Sequence, residues 1–162
     1  MISFSFWLSS SLYAQNYPNR AVKLIVTNPA GGSSDIMART IAQKLSELWK
    51  QSVIVENKAG AGGLIGADAV AKSAPDGYTV VMGTVSSHAI APAVYRKMPY
   101  DAETDFAAVS LVALTPYIIT VNAAVPVKTL RELVSYAKAN PDKLNFGSSG
   151  TGTTPHLAVE EF

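Results

Sequence analysis

Four short stretches of this sequence concentrate glycine and hydroxyl side chains: AGGSSD at 30–35, KAGAGG at 58–63, TVSSH at 84–88 and GSSGTGTTPH at 147–156. The first stands just behind the apolar run AVKLIV at 21–26 and leads straight into an amphipathic pattern. The start of a helix offers unpaired N–H groups and about half a positive charge, which favours a carboxylate or a phosphate. Glycine lets a ligand approach the backbone, and Ser or Thr adds further donors. Anion capture is the chemistry such loops can do. A plainer reading stands beside it. Ser33, Ser34 and Thr153 are ordinary N-cap types, and Asp35 in a first turn is a usual partner of the helix dipole. His88 and His156 are more often hydrogen-bonded structural residues than ligands. Repetition of one device at several strand ends favours binding over capping alone.

Catalytic readings find less support. Ser86, His88 and Asp35 are the residue types of a hydrolytic triad, but no G-x-S-x-G elbow exists, since Thr151 stands two residues after Ser149 where the elbow needs glycine. GAGGLIG at 60–66 follows a strand as a dinucleotide loop would, yet it reads G-x-G-x-x-x-G. No acid closes the third apolar run to hold a ribose. No Walker lysine follows any Gly-rich loop. The two histidines are far apart with no acidic cluster beside them, so no metal site is expected. With no cysteine in the chain, disulfides and thiol catalysis are excluded. A net charge of +1, without a run of Lys or Arg, gives no field for nucleic acid. The expectation is binding without catalysis and without a cofactor.

The elements that must position these loops alternate. Strands are expected at 21–26, 52–57 and 79–84. Helices are expected from Asp35 to Trp49, with Ile36, Met37, Ile41, Leu45 and Leu48 on one side, and from about Leu64 to Lys72. Pro75-Asp76-Gly77 marks a turn. This β-α-β-α-β order implies a parallel sheet covered by helices on both faces, and ligands of such sheets bind beyond the carboxyl ends of the strands. The charged stretch 96–106 is the candidate domain crossing. Beyond it, 108–122 reads as two strands around Thr115-Pro116, and 143–149 as another. The helix near 130–140 opens with Thr129 and Glu132 at capping-box spacing.

The apolar, serine-rich residues 1–14 read as a clipped secretory signal, despite the lack of a positive residue before Arg20. The final helical pattern stops at Phe162 after about two turns, too short to stand alone, so a truncated chain is expected. The division is a leader at 1–14, a first α/β unit at 15–104 and the opening part of a second at 105–162.

Three segments, YPNRAVKLIVTNPAGGSSDIMARTIAQKL, VIVENKAGAGGLIGADAVAKSAPDGYTVVMGT and KLNFGSSGTGTTPHLAVEEF, together resemble the Bug family, the extracytoplasmic solute receptors of tripartite tricarboxylate transporters. The similarity runs from about Tyr17 to Phe162. It implies a fold like that of type II periplasmic binding proteins: two α/β units with parallel sheets and helices on both faces, closing like a flytrap, the second incomplete here. It also implies a periplasmic receptor for a small organic carboxylate, with membrane transporter subunits as partners. Ligand contacts would come from Ala30, Gly31, Gly32, Ser33 and Asp35 in the first loop. Thr84, Ser86, Ser87 and His88 would serve in the second. Ser148, Ser149, Gly150, Thr151, Thr153 and His156 would serve in the third. One departure stands at the cleft wall, where the family's VPF pattern is replaced by Thr27 and Asn28. Two other readings stay open: a doubly wound hydrolase or nucleotide-using enzyme, and a non-functional receptor fragment.

Overall fold

The apolar run VKLIV becomes a strand with only Lys23 exposed, because both of its faces are covered. This strand, β1 (Val22–Val26), is the middle of a parallel three-stranded sheet between β2 (Val53–Asn57) and β3 (Thr79–Met82). The computed structural model that provides these coordinates describes residues 17–161. The leader expected at 1–14 lies outside them.

Two helices cover the sheet. Helix α1 (Ser33–Trp49) packs on β1 and β2, where Ala38 and Ala42 meet Leu24, Val26 and Met82. Its buried stripe differs from the expected one. Ile36 and Leu48 are 60% and 74% exposed, while Asp35, Ala38 and Ala42 are buried. The small alanines let the helix lie close to the sheet, and the helix is rotated so that Asp35 points to the end of β2. Polar bonding at the helix start thus outweighs burial of two large apolar side chains.

Helix α2 (Leu64–Ala71) packs on β1 and β3. It approaches closely because Gly66 faces the end of β1: a Cβ there would stand 2.7 Å from the Lys58 carbonyl oxygen and 3.1 Å from Thr27 Cγ2. After β3, a π-helical turn (Ser86–Ile90) runs into the short α3 (Ala91–Val94). Tyr100 and Phe106 fold back against Leu64, Ala67 and Ala91. The stretch expected to cross between domains is therefore irregular but anchored to the first unit.

The later part of the chain departs further from expectation. Helix α4 (Leu130–Ala139) has its capping box, with Thr129 Oγ1 accepting from the Glu132 amide and Glu132 accepting from the Thr129 amide, both at 3.2 Å. The last helix, α5 (Thr154–Glu160), is also present. The strands expected at 108–122 and 143–149 are not formed. A strand needs a neighbour for its N–H and C=O groups, and among the described residues these segments have none. Their apolar side chains stand in solvent, with Val109 at 89%, Leu114 at 84% and Ile118 at 80%. The third strand also stops at Met82 rather than residue 84.

Gly66→Ala is expected to destabilise the fold by roughly 1–3 kcal/mol, since the added methyl meets backbone that cannot swing aside. Chemical denaturation checks this, and an unchanged midpoint would mean that the helix–strand approach has slack.

Candidate functional site

The first loop is held by one carboxylate. Asp35, 3% exposed, accepts from the Gly31 amide at 2.8 Å and from Arg39 Nε at 3.0 Å through Oδ2. Its Oδ1 accepts from Asn57 Nδ2 at 3.0 Å and pairs with Arg39 Nη2 at 3.0 Å. Asn57 Nδ2 also donates to the Asn28 carbonyl at 3.1 Å, which ties the ends of β1 and β2 together. Arg39 and the Gly31 amide, partly offset by burial and helped by Asn57, lower the Asp35 pKa to about 2. The Asp35 side chain is thus committed to the loop and positions its amides instead of facing a ligand.

The Gly31 amide is thus spent on Asp35 and the Gly32 amide on the Pro29 carbonyl at 3.4 Å, and the donors left open are those at the start of α1. Gly31 takes φ +82, and Gly32 is the extended N-cap. Ala30, Gly31, Gly32 and Ser33 are all exposed. Ser33, Ser34 and Asp35 are the first three positions of α1, whose N–H groups have no partner within a helix. Among the described residues no side chain caps them. A seventeen-residue helix therefore presents its positive end at an exposed glycine turn.

The second loop is mostly turned inward. Ser87 is fully buried, its Oγ lying 3.2 Å from the Thr84 amide and 2.8 Å from His88 Nδ1. The phenol of Tyr100 donates to the Ser87 carbonyl. The His88 ring stands edge-on to Phe106 at 4.7 Å, and burial lowers its pKa. Thr84 is half-buried beside Ser87. Ser86 Oγ accepts from the Thr154 amide at 3.2 Å. No triad forms, because Asp35, His88 and Ser86 each bond elsewhere.

The third loop divides. Ser148, Ser149, Gly150 and Thr151 are exposed, whereas Thr153 is buried and donates to the Gly150 carbonyl at 2.6 Å. His156 is half-buried, with Nε2 3.8 Å from Glu160 and Phe146 beside its ring. The structure thus brings Ser86 together with Thr154, and a Cβ at Gly62 would stand 3.7 Å from the Thr151 carbonyl oxygen and 3.8 Å from Thr153 Cγ2.

Sequence reasoning overlooked several positioning residues. Arg39 was legible as the i+4 partner of Asp35, and Asn57 as the polar end of an apolar strand. Thr27 was read as part of the cleft wall. It is instead 2% exposed and packed inside, its Oγ1 donating to the Met82 carbonyl at 3.4 Å. Gly63, at φ +100, comes so close that a Cβ would lie 3.2 Å from both Thr27 and Ser87 Cβ.

Comparison with known proteins finds one receptor family. The tripartite tricarboxylate transporter family receptor, TctC, matches residues 37–162. Protein BugT of Bordetella pertussis is 37% identical over 156 residues, covering 96% of this chain and 48% of its own length. Among solved structures, R. palustris Rpa4515 with adipate is 42% identical with a TM-score of 0.84, over 89% of this chain and 48% of that one. MatC from Rhodopseudomonas palustris with bound malate gives 34% and 0.78, over 85% and 47%. The periplasmic binding protein BugD gives 30% and 0.73, over 90% and 48%. The chain spans about half the length of these relatives.

Asp35→Asn should loosen the Gly31 turn and lower stability at neutral pH. The folded-state pKa lies below the ordinary 3.8, so the carboxylate's contribution is complete above that value. It is lost as pH falls towards about 2. Melts of both proteins across pH should therefore converge in acid, and a constant gap down to the lowest pH would refute the assignment.

Proposed function

Since the chain belongs to the tripartite tricarboxylate transporter receptor family, we propose that it serves a periplasmic receptor that captures a small organic carboxylate and performs no chemistry on it. The observation that carries this reading is the exposed turn at 30–33 with the uncapped amides of Ser33, Ser34 and Asp35 behind it, held in shape by the buried Asp35 carboxylate. It offers backbone donors and a helix dipole and no nucleophile. Adipate in Rpa4515 and malate in MatC, at 42% and 34% identity, support carboxylates as the ligand class. The periplasmic setting accords with the BugD likeness and with the leader reading of residues 1–14.

The same reading assigns roles to the other expected contacts. Ala30 and Ser33 hold the carboxylate from the first unit, the Gly31-Gly32 turn lets it approach, and Asp35 stands behind them. Thr84 stands at the end of β3. Ser148, Ser149, Gly150 and Thr151 approach from the part of the chain beyond 105, the opening of a second unit. Ser87, Thr153, His88 and His156 shape these loops through their internal contacts. Uptake through membrane transporter subunits is the function such a receptor serves.

Magnitudes permit this. Four charge-assisted hydrogen bonds at about 1.5–3 kcal/mol each would supply roughly 6–12 kcal/mol before ordering costs. Micromolar affinity needs about 8 kcal/mol. Apolar side chains also emerge at this end of the sheet, Ile36 at 60%, Ile65 at 55% and Val85 at 61% exposed. They favour a carboxylate with an aliphatic body over a heavily hydroxylated one.

Calorimetric titration with adipate, malate and citrate tests the proposal. Saturable binding of at least one is expected, with adipate the tightest. Gly32→Val should weaken that binding by tenfold or more (about 1.4 kcal/mol), because a side chain there crowds the Pro29 carbonyl at 3.3 Å and covers the amides. Equal affinity of the variant would sink the cradle.

A further inference from the structure

The two halves of the candidate site already touch. Ser86, on the π-helical turn after β3, is 9% exposed, and its hydroxyl accepts from the Thr154 amide at 3.2 Å and lies 3.4 Å from Thr154 Oγ1. Thr154 is the first residue of α5. That helix starts without a side-chain cap of its own, because the Thr153 hydroxyl is spent on the Gly150 carbonyl. Ser86 therefore caps α5 from a position 68 residues away in sequence.

A second contact lies beside the first. The Tyr95 ring stands so close to the chain at Gly152 that a Cβ there would lie 3.3 Å from Cε2. Gly152 is buried and takes φ +74, so both space and backbone call for glycine. The Tyr95 hydroxyl reaches the Thr151 carbonyl at a long 3.4 Å. The turn 150–154 is thus seated on the first unit by one hydroxyl and one aromatic ring.

We propose that Ser86 and Tyr95 form a clasp that seats the 150–154 turn on the first unit without ligand, so that the exposed donors of Ser148–Thr151 stand preassembled opposite the strand-end loops. Ser86 is then a positioning residue, not a donor to the ligand. A seven-residue helix does not hold its first turn unaided, so the clasp also governs whether α5 forms. Its existence is independent of the receptor reading, while its effect on carboxylate affinity rests on it. Only the clasped fraction presents the complete donor set, so apparent affinity scales with that fraction.

Hydrogen exchange on the full chain without ligand tests this, with peptides covering 150–160 followed in wild type, Ser86→Ala and Tyr95→Phe. The wild type is expected to protect the Thr154 amide, and Ser86→Ala to speed its exchange on the order of tenfold while amides of β1 stay unchanged. Tyr95→Phe, which keeps the ring, should change exchange little; the ring, more than the long hydroxyl contact, holds Gly152. If Ser86→Ala fails to fold, Tyr95→Ala provides the same local loss from the other side of the turn. Adipate titration then gives the link: its affinity should fall in proportion to the clasped fraction that the protection factors give.

Equally fast exchange in wild type and both disruptive variants would overturn the clasp. So would an affinity loss in Ser86→Ala with ligand-free protection intact, which would make Ser86 a direct ligand contact. Protection lost in the variant of a protein that binds no adipate would still support the clasp and count against the receptor reading alone.

Discussion

Everything at the carboxyl end of this sheet depends on burying one negative charge. A carboxylate withdrawn from water is tolerated only if its oxygens are fully engaged, and Asp35 meets that condition with four donor groups from three residues. Each donor comes from a different piece of structure: the glycine turn, the next turn of α1 and the end of β2. Satisfying the charge therefore draws all three together. The rotation of α1, the shape of the Gly31 turn and the orientation of the free amides are consequences of that requirement.

The adjacent loops are organised by a different economy, that of space. Thr27, Gly63, Gly66 and Ser87 meet at the end of β1 with contacts that leave no room for another methyl. Dense packing of this kind keeps the strand ends in register and holds the π-helical turn against α2. Charge satisfaction fixes the outer loop and close packing fixes the inner one. Loops fixed in these two ways hold one shape, which is what preorganisation requires.

The part of the chain beyond 105 has a different character. Its extended apolar runs lack hydrogen-bonded neighbours among the described residues, and α4 buries only Leu133. What ties this part to the rest is local: the aromatic contact of Phe106 and the seating of the 150–154 turn on Ser86 and Tyr95. The relatives are about twice as long, and the contrast between the two parts is one of how many neighbours each segment has available.

Periodicity and punctuation were enough to read much of this protein from its residues. The β-α-β-α-β order, the parallel sheet, the capping box at Thr129 and Glu132, and the Gly-Ser loops at strand ends are all local patterns, set by the chain's own geometry within a few residues. The motif order also made the receptor family recognisable. Local pattern could not say which way α1 turns, because the apolar stripe through Ile36 and Leu48 competes with a charge network that needs Asn57. Nor could it tell that Ser86, Ser87 and Thr153 spend their hydroxyls on the protein, since their partners lie beyond the reach of sequence spacing or in a fold of the backbone. Strand propensity at 108–122 remained unrealised for the same reason. A residue's type sets what it can bond, but only the tertiary structure decides whether the partner is there.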